Sequence, residues 1–214
     1  MIRIAGWMAS VYAPVGAFLL AALILSACTD DKGRLAGAMD GPACRAALAK
    51  DGAKFETVAD FTTNSGCGIT DPVKLTGGVV GLSQPAEMGC SLALAVTEFE
   101  QGDIQALAQR YFHQKLTRLD HMGAYSCRTV RDAKGRMSEH AIGHAIDISG
   151  FVLADGTRIS VENDWFSTGP KRDFLRDVAK AACERFAVVL TPNYNLDHFN
   201  HIHADLSKWK LCGI

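Results

Sequence analysis

Ser138-Glu-His-Ala-Ile-Gly-His-Ala-Ile-Asp-Ile-Ser-Gly-Phe-Val-Leu-Ala-Asp-Gly-Thr-Arg-Ile-Ser-Val161 changes character several times within one short run. From Ala145 to Leu153 it reads as extended, with Ile146 and Ile148 alternating against Ala145, Asp147 and Ser149. Asp155-Gly156 is a strong hairpin-turn signal and leads into a second extended run from Thr157 to Val161. A hairpin here means an antiparallel sheet.

The rest of the chain fits around that hairpin. Downstream, Lys171 to Phe186 carries Phe174, Leu175, Val178, Ala182 and Phe186 on one helical face, with charges opposite. Val188 to Leu190 and His201 to Leu206 read as further strands. Upstream, Cys44 to Lys50 is a short Ala-rich helix, Lys54 to Val58 a strand, and Val79 to Leu82 a short apolar run. Ala86 to about Leu116 has helical composition, and Gly102-Asp103 is expected to divide it into two helices. Gly123 to Val130 looks extended. Helices in blocks and strands mainly in hairpins make the fold class α+β, a small antiparallel sheet flanked by helices, and not a doubly wound sheet.

The first residues stand apart from this domain. Arg3 is followed by Met8 to Leu25 without a charge, the n-region and h-region of a secretory signal. The run is long enough for an uncleaved membrane anchor. However, it ends in Leu25-Ser26-Ala27-Cys28, which resembles the lipobox of bacterial lipoproteins. That resemblance implies a lipoprotein signal peptide over 1–27 and an acylated Cys28 anchored in a lipid bilayer, where several acyl chains give firm binding. Thr29, in place of an Asp, favours the outer membrane over the inner one by analogy with Gram-negative sorting. Residues 28–42 are polar and Gly-rich and read as a tether. One domain is drawn over 43–214. The roughly 187 residues after the signal are enough for one domain with a real core. A net charge of -1 argues against a nucleic-acid partner.

There are seven cysteines. With Cys28 set aside for lipid, an even set remains in an exported chain, which reads as disulfides. No CxxC pair speaks for metal. Sequence does not choose among the pairings; the sequential one, Cys44–Cys67, Cys90–Cys127 and Cys183–Cys212, is the expectation carried forward.

Histidine is clustered. Of seven, His140 and His144 lie in the opening stretch, and His198, His201 and His203 lie in Asp197-His-Phe-Asn-His-Ile-His203. Each cluster includes a carboxylate, a pattern that points to metal ligation. On a strand, His201, His203 and Asp205 share a face, while Ile202, Ala204 and Leu206 take the other. Asp147 lies on one face of the other strand, and His140 lies before it across Gly143, which supplies the backbone freedom of a turn. The two strands are thus expected to offer His140, Asp147 and His203 to one tetrahedral Zn2+, with a corner left for water, as in catalytic zinc sites. His201, one step away, is expected to take the water's proton or steady the oxyanion.

Ser138-x-His140-x-x-Gly143-x-Ala145-x-Asp147, with His201-x-His203 far downstream, resembles the zinc D-Ala-D-Ala peptidases of the lysostaphin/D-Ala-D-Ala metallopeptidase/hedgehog superfamily. More closely, Cys67-Gly-Ile, Gly123-Ala-Tyr-Ser-Cys-Arg128, Ser138-Glu-His140, Ala145-Ile-Asp-Ile148, Asp164-Trp165, Cys183 and Cys212 resemble the extensin-like C-terminal domain family of proteobacteria. The resemblance implies zinc on His140, Asp147 and His203, His201 as the catalytic histidine, and a four-stranded antiparallel sheet beneath them. It makes Arg128 the candidate for steadying the substrate carbonyl or carboxylate, beside the alternative of an ordinary surface arginine. Some relatives carry a Glu three residues before the last histidine; here Asn200 stands there and cannot take a proton. Ser138 is expected to hydrogen-bond near the site or to cap a turn, His144 to be exposed, and Asp197 and His198 to orient a ligand or lie on a surface loop. The expected activity is hydrolysis of peptidoglycan stem peptides or crosslinks in the cell envelope. The alternatives are a non-catalytic zinc-containing wall-binding module and a periplasmic metal or redox protein.

Overall fold

The computed structural model describes residue 39 and residues 41–131 and 135–214. The expected signal peptide, Cys28 and almost all of the tether lie outside the described residues. Among the described residues no helix is long and apolar enough to cross a membrane.

The helices are α1 (Gly41–Lys50), α2 (Cys90–Phe99), α3 (Gln105–Phe112), α4 (Val161–Asp164) and α5 (Pro170–Arg185). The strands are β1 (Lys54–Thr57), β2 (Phe61–Thr62), β3 (Gly68–Ile69), β4 (Pro72–Gly77), β5 (Gly81–Gly89), β6 (Leu116–Gly123), β7 (Ala145–Leu153), β8 (Arg158–Ser160), β9 (Val188–Leu190), β10 (Ile202–Asp205) and β11 (Leu211–Gly213). β2 and β3 form a small hairpin of their own. The other nine strands form one sheet in the order β1-β4-β5-β6-β7-β10-β9-β11, with β8 also pairing β7. The fold is α+β and mostly antiparallel, as expected. The sheet is far larger than four strands, and β5–β6 and β9–β11 pair in parallel.

The hairpin in the opening stretch forms as read, Phe151 opposite Ile159 across the Asp155-Gly156 turn. α5 begins with Pro170 at its first turn, where the missing N–H costs nothing, and buries Phe174, Leu175, Val178 and Ala182. α2 packs on β4 and β5, and α5 packs on α3 and β9. Ile146, Ile148, Ile202 and Ala204 enter the core. Period-two alternation therefore turns Asp147 and His203 to the opposite side of the sheet.

Several readings are corrected. Ala86 and Met88 belong to β5, where their buried side chains alternate with Glu87; the helix starts at Cys90. The helical stretch does divide at Gly102-Asp103, into α2 and α3, though a π-turn over Glu100–Ile104 joins the two without a break in the chain's helical path. Extended structure precedes Gly123, in β6, where bulges shift the register and spoil the alternation. After Gly123 only Thr129 bridges, to Met137.

The disulfides are Cys44–Cys90, Cys67–Cys127 and Cys183–Cys212. Only the last matches the sequential pairing; Cys44–Cys67 and Cys90–Cys127 do not form. α1 packs against α2, which carries Cys44 to Cys90. The β2–β3 hairpin lies against the loop after β6, Phe61 meeting Tyr125 edge to face at 5.3 Å, and this carries Cys67 to Cys127. Neighbours in sequence are not neighbours here.

Candidate metal centre

β7 and β10 pair antiparallel with His203 directly opposite Asp147. Cross-strand partners point to one face, so these two side chains meet without any special turn. His140 arrives from a one-turn 3-10 helix, Glu139–Ile142. Ser138 caps that turn by accepting the His140 backbone N–H at 3.3 Å, the local role foreseen as one of its alternatives. Gly143 ends the turn with φ of 69°. A Cβ there would stand 2.7 Å from Ile69 Cδ1 and 3.0 Å from the Gly89 nitrogen, so this close approach needs glycine.

The three side chains converge on one point. His140 Nε2 lies 3.1 Å from His203 Nδ1 and 3.2 Å from Asp147 Oδ1, and His203 Nδ1 lies 3.0 Å from Asp147 Oδ1. These are the residues that together could hold an ion. A tetrahedral zinc ion with ordinary bond lengths has ligand–ligand edges of about 3.3 Å.

The far nitrogens decide what the near ones can do. His140 Nδ1 donates to the Ala124 carbonyl at 2.8 Å, and an oxygen of that kind only accepts. His203 Nε2 donates to Asp205 Oδ2 at 3.0 Å. In their neutral forms both rings therefore aim a lone pair inward, at each other and at a carboxylate oxygen. Three acceptors this close repel unless positive charge sits between them. The titration behaviour carries the same message. Burial works against a charged His203, yet Asp147 and Asp205 outweigh it and raise its pKa to about 9. Burial likewise works against ionised Asp147, but His140 and His203, once protonated, donate hydrogen bonds to it and their charges hold it well below the carboxylate range. The donor set, two imidazoles and one carboxylate each fixed from behind, fits a divalent cation of the zinc type.

His201 stays outside the mutual trio. Its Nδ1 donates to Asn200 Oδ1 at 2.9 Å, so its Nε2, 3.4 Å from Asp147 Oδ1, carries a lone pair. Burial lowers its pKa, the nearby cationic groups add to that, and Asp147 opposes it; the ring is a neutral base at pH 7. His198 packs against it with ring centroids 5.1 Å apart. His198 is pushed down to about 4, by burial and then by His201 and His203. Its Nδ1 donates to Asn195 rather than to a ligand. Asp197 pairs with Arg131 and not with any of the trio. His144 is half-exposed beside Glu139 at 3.7 Å.

Asp147, His201 and His203 line a cleft of about 600 Å³, whose walls include Arg128, Arg136, Tyr194, His198 and Trp209. Arg128 is exposed on that wall, and its charge is felt at His201. Sequence reasoning missed the Ala124 carbonyl, which no residue type announces. It placed Asp205 on the right face without giving it a task; an acid two residues beyond a strand histidine was the available signal.

The family model for the extensin-like protein C-terminus matches residues 42–213. No curated protein and no solved structure matches the chain.

Proposed function

The chain belongs to the extensin-like protein C-terminus family, and from that starting point we propose that it is a zinc-dependent peptidase hydrolysing peptidoglycan stem peptides or crosslinks. The observation that carries the reading is the convergence of three lone-pair donors, His140, Asp147 and His203, at 3.0–3.2 Å from one another, with Asp147 and His203 lining an open cleft and His140 buried behind them. A structural zinc is closed by four protein ligands; three beside a cleft leave room for substrate. The assignment to the lysostaphin/D-Ala-D-Ala metallopeptidase/hedgehog superfamily is part of the same proposal.

Zinc held by the trio would acidify the attacking water and polarise the scissile carbonyl. The protein's own groups account for the protons. His201 Nε2, kept unprotonated by the Nδ1–Asn200 hydrogen bond, takes a proton as water adds to the carbonyl carbon. The same proton goes to the departing amine nitrogen as the C–N bond breaks, leaving an amine and a carboxylic acid, which then loses the water's second proton to solvent and ends as the carboxylate. Arg128, at the cleft wall, steadies the carbonyl oxygen as it gains charge. Asp205 and the Ala124 carbonyl hold the two ligand rings in place throughout.

An acylated Cys28 and the tether over 28–42 would keep this cleft near the wall from the periplasmic side, with the outer membrane favoured by Thr29. The test is mass analysis of muropeptides released from purified sacculi. The zinc-loaded domain should release new products, a chelator should stop it, and zinc should restore it. His201→Ala should keep one equivalent of zinc and slow release by about 10²–10⁴-fold. Zinc retention without any release by the native protein would leave the wall-binding module instead; loss of zinc from His201→Ala would overturn the ligand assignment.

A further inference from the structure

The cleft floor balances its own charges, but among the described residues one wall does not. Residues 128–130 and 136–138 run as a short antiparallel ladder. The Val130 N–H donates to the Arg136 carbonyl at 2.8 Å, the Ser138 N–H donates to the Arg128 carbonyl at 3.1 Å, and Thr129 bridges Met137. In such a ladder Arg128 and Ser138 are opposite one another, as are Val130 and Arg136, and all four share the face turned away from that of Thr129 and Met137. All four line the cleft, joined by Met137 but not by Thr129. Arg128 and Arg136 are therefore diagonal neighbours, roughly 7–8 Å apart at the backbone.

Two like charges on one face of a two-stranded ladder repel, and an acid nearby would relieve them. Among the described residues neither arginine has one. Arg131 is taken by Asp197, Glu139 sits beside His144, and Asp147 and Asp205 are engaged by the histidines. Arg136 instead lies over the Trp209 ring, 5.2 Å from its centroid. The indole is 47% exposed, so this is an open pair at the cleft and not a core contact. A guanidinium stacked on a ring keeps its fork of N–H donors free at the edge, and that fork matches a carboxylate.

We propose that Arg136 and Trp209 form a specificity subsite for a free carboxylate on the peptide substrate. The proposal rests on the peptidase reading and adds the chemistry selected. Ser138 caps the turn that carries His140, so the Arg128–Ser138 pair stands at the reacting end of the wall. The Val130–Arg136 pair is one step outward, roughly 6.5 Å along the strand, the length of two extended residues. The recognised acid therefore belongs to a residue about two positions from the bond cut. Arg136 is a specificity residue and takes no part in the bond-breaking step.

Two synthetic peptides that differ in that one carboxylate, free in the first and amidated in the second, test this with the zinc-loaded protein. The free acid should have a kcat/KM about tenfold higher, mostly through KM. Arg136→Gln should bring the ratio to near one, and Arg136→Lys should restore part of it. Equal kcat/KM values in the native protein, or a ratio that survives Arg136→Gln, overturn the subsite. Calorimetric binding of the same peptides separates the two proposals. Selective binding without hydrolysis supports the subsite and sinks the peptidase reading, whereas hydrolysis without selectivity sinks the subsite alone.

Discussion

Asp205 is buried behind the His203 ring, and the proposed chemistry leans on it. Its Oδ2 accepts from His203 Nε2, and its Oδ1 accepts the Ser207 N–H at 2.9 Å, so the carboxylate is itself held. Remove it and His203 is free to rotate or to change tautomer. Asp205→Ala should weaken zinc binding by about 10–100-fold while all three ligands remain, as read by competition with a coloured chelator. At this scale the sequence was informative where chemistry needs a rare residue type. Histidines two apart on a strand, and Asp147 on its neighbour, were legible because a period of two assigns faces. The Ala124 carbonyl was not, because every residue offers one. Asn200 was noticed only as a base that could not work; its Oδ1 in fact fixes the His201 tautomer.

One short element, the capped turn over Glu139–Ile142, sets where His140 points. Its exit through Gly143 depends on a positive φ and on empty space against Ile69 and Gly89. Gly143→Ala should destabilise the fold by about 1–2 kcal/mol from the left-handed backbone alone, and the displaced turn should draw His140 away from Asp147. Thermal melting and zinc content measured together check this; a normal melt with full zinc would contradict it. Elements with an unbroken pattern were readable: α5, the β7–β8 hairpin and β9 appear where the periodicity puts them. β5 and β6 were not. Ala86 and Met88 alternate over too few residues to stand out beside a helix-rich run. In β6 the buried positions Leu116, Leu119 and His121 are spaced unevenly because the strand bulges against β7.

At the scale of the whole molecule, among the described residues Glu100 is a buried acid without an ionic partner to offset its burial. Glu100 sits in the π-turn, 3% exposed, with Oε1 lacking a hydrogen-bond partner among the described residues. Burial raises its pKa well above the glutamate range, so it folds as the neutral acid. Its stability contribution is complete below the ordinary value and is lost as pH rises through the raised one. Over that window the native protein loses about 1.4 kcal/mol per pH unit. Glu100→Gln should therefore melt higher than the native chain at pH 7 and equal to it near pH 4; a gap that does not change with pH would refute this. Disulfide topology is the property of the whole that sequence left open. Cys44 finds Cys90 and Cys67 finds Cys127 only once helix has packed on helix and hairpin on loop.

The strand order has a mechanical side. β10, β9 and β11 join the rest of the sheet through the single β7–β10 ladder, and the residues proposed to hold the metal sit astride that ladder, His140 and Asp147 on one bank and His203 on the other. An ion there would act as a clasp on a seam. Hydrogen–deuterium exchange should show it. On chelation, the amides of 188–190 and 202–205 should lose protection first, while those of β4, separated from the seam by β5, β6 and β7 and paired on both edges, exchange as slowly as before.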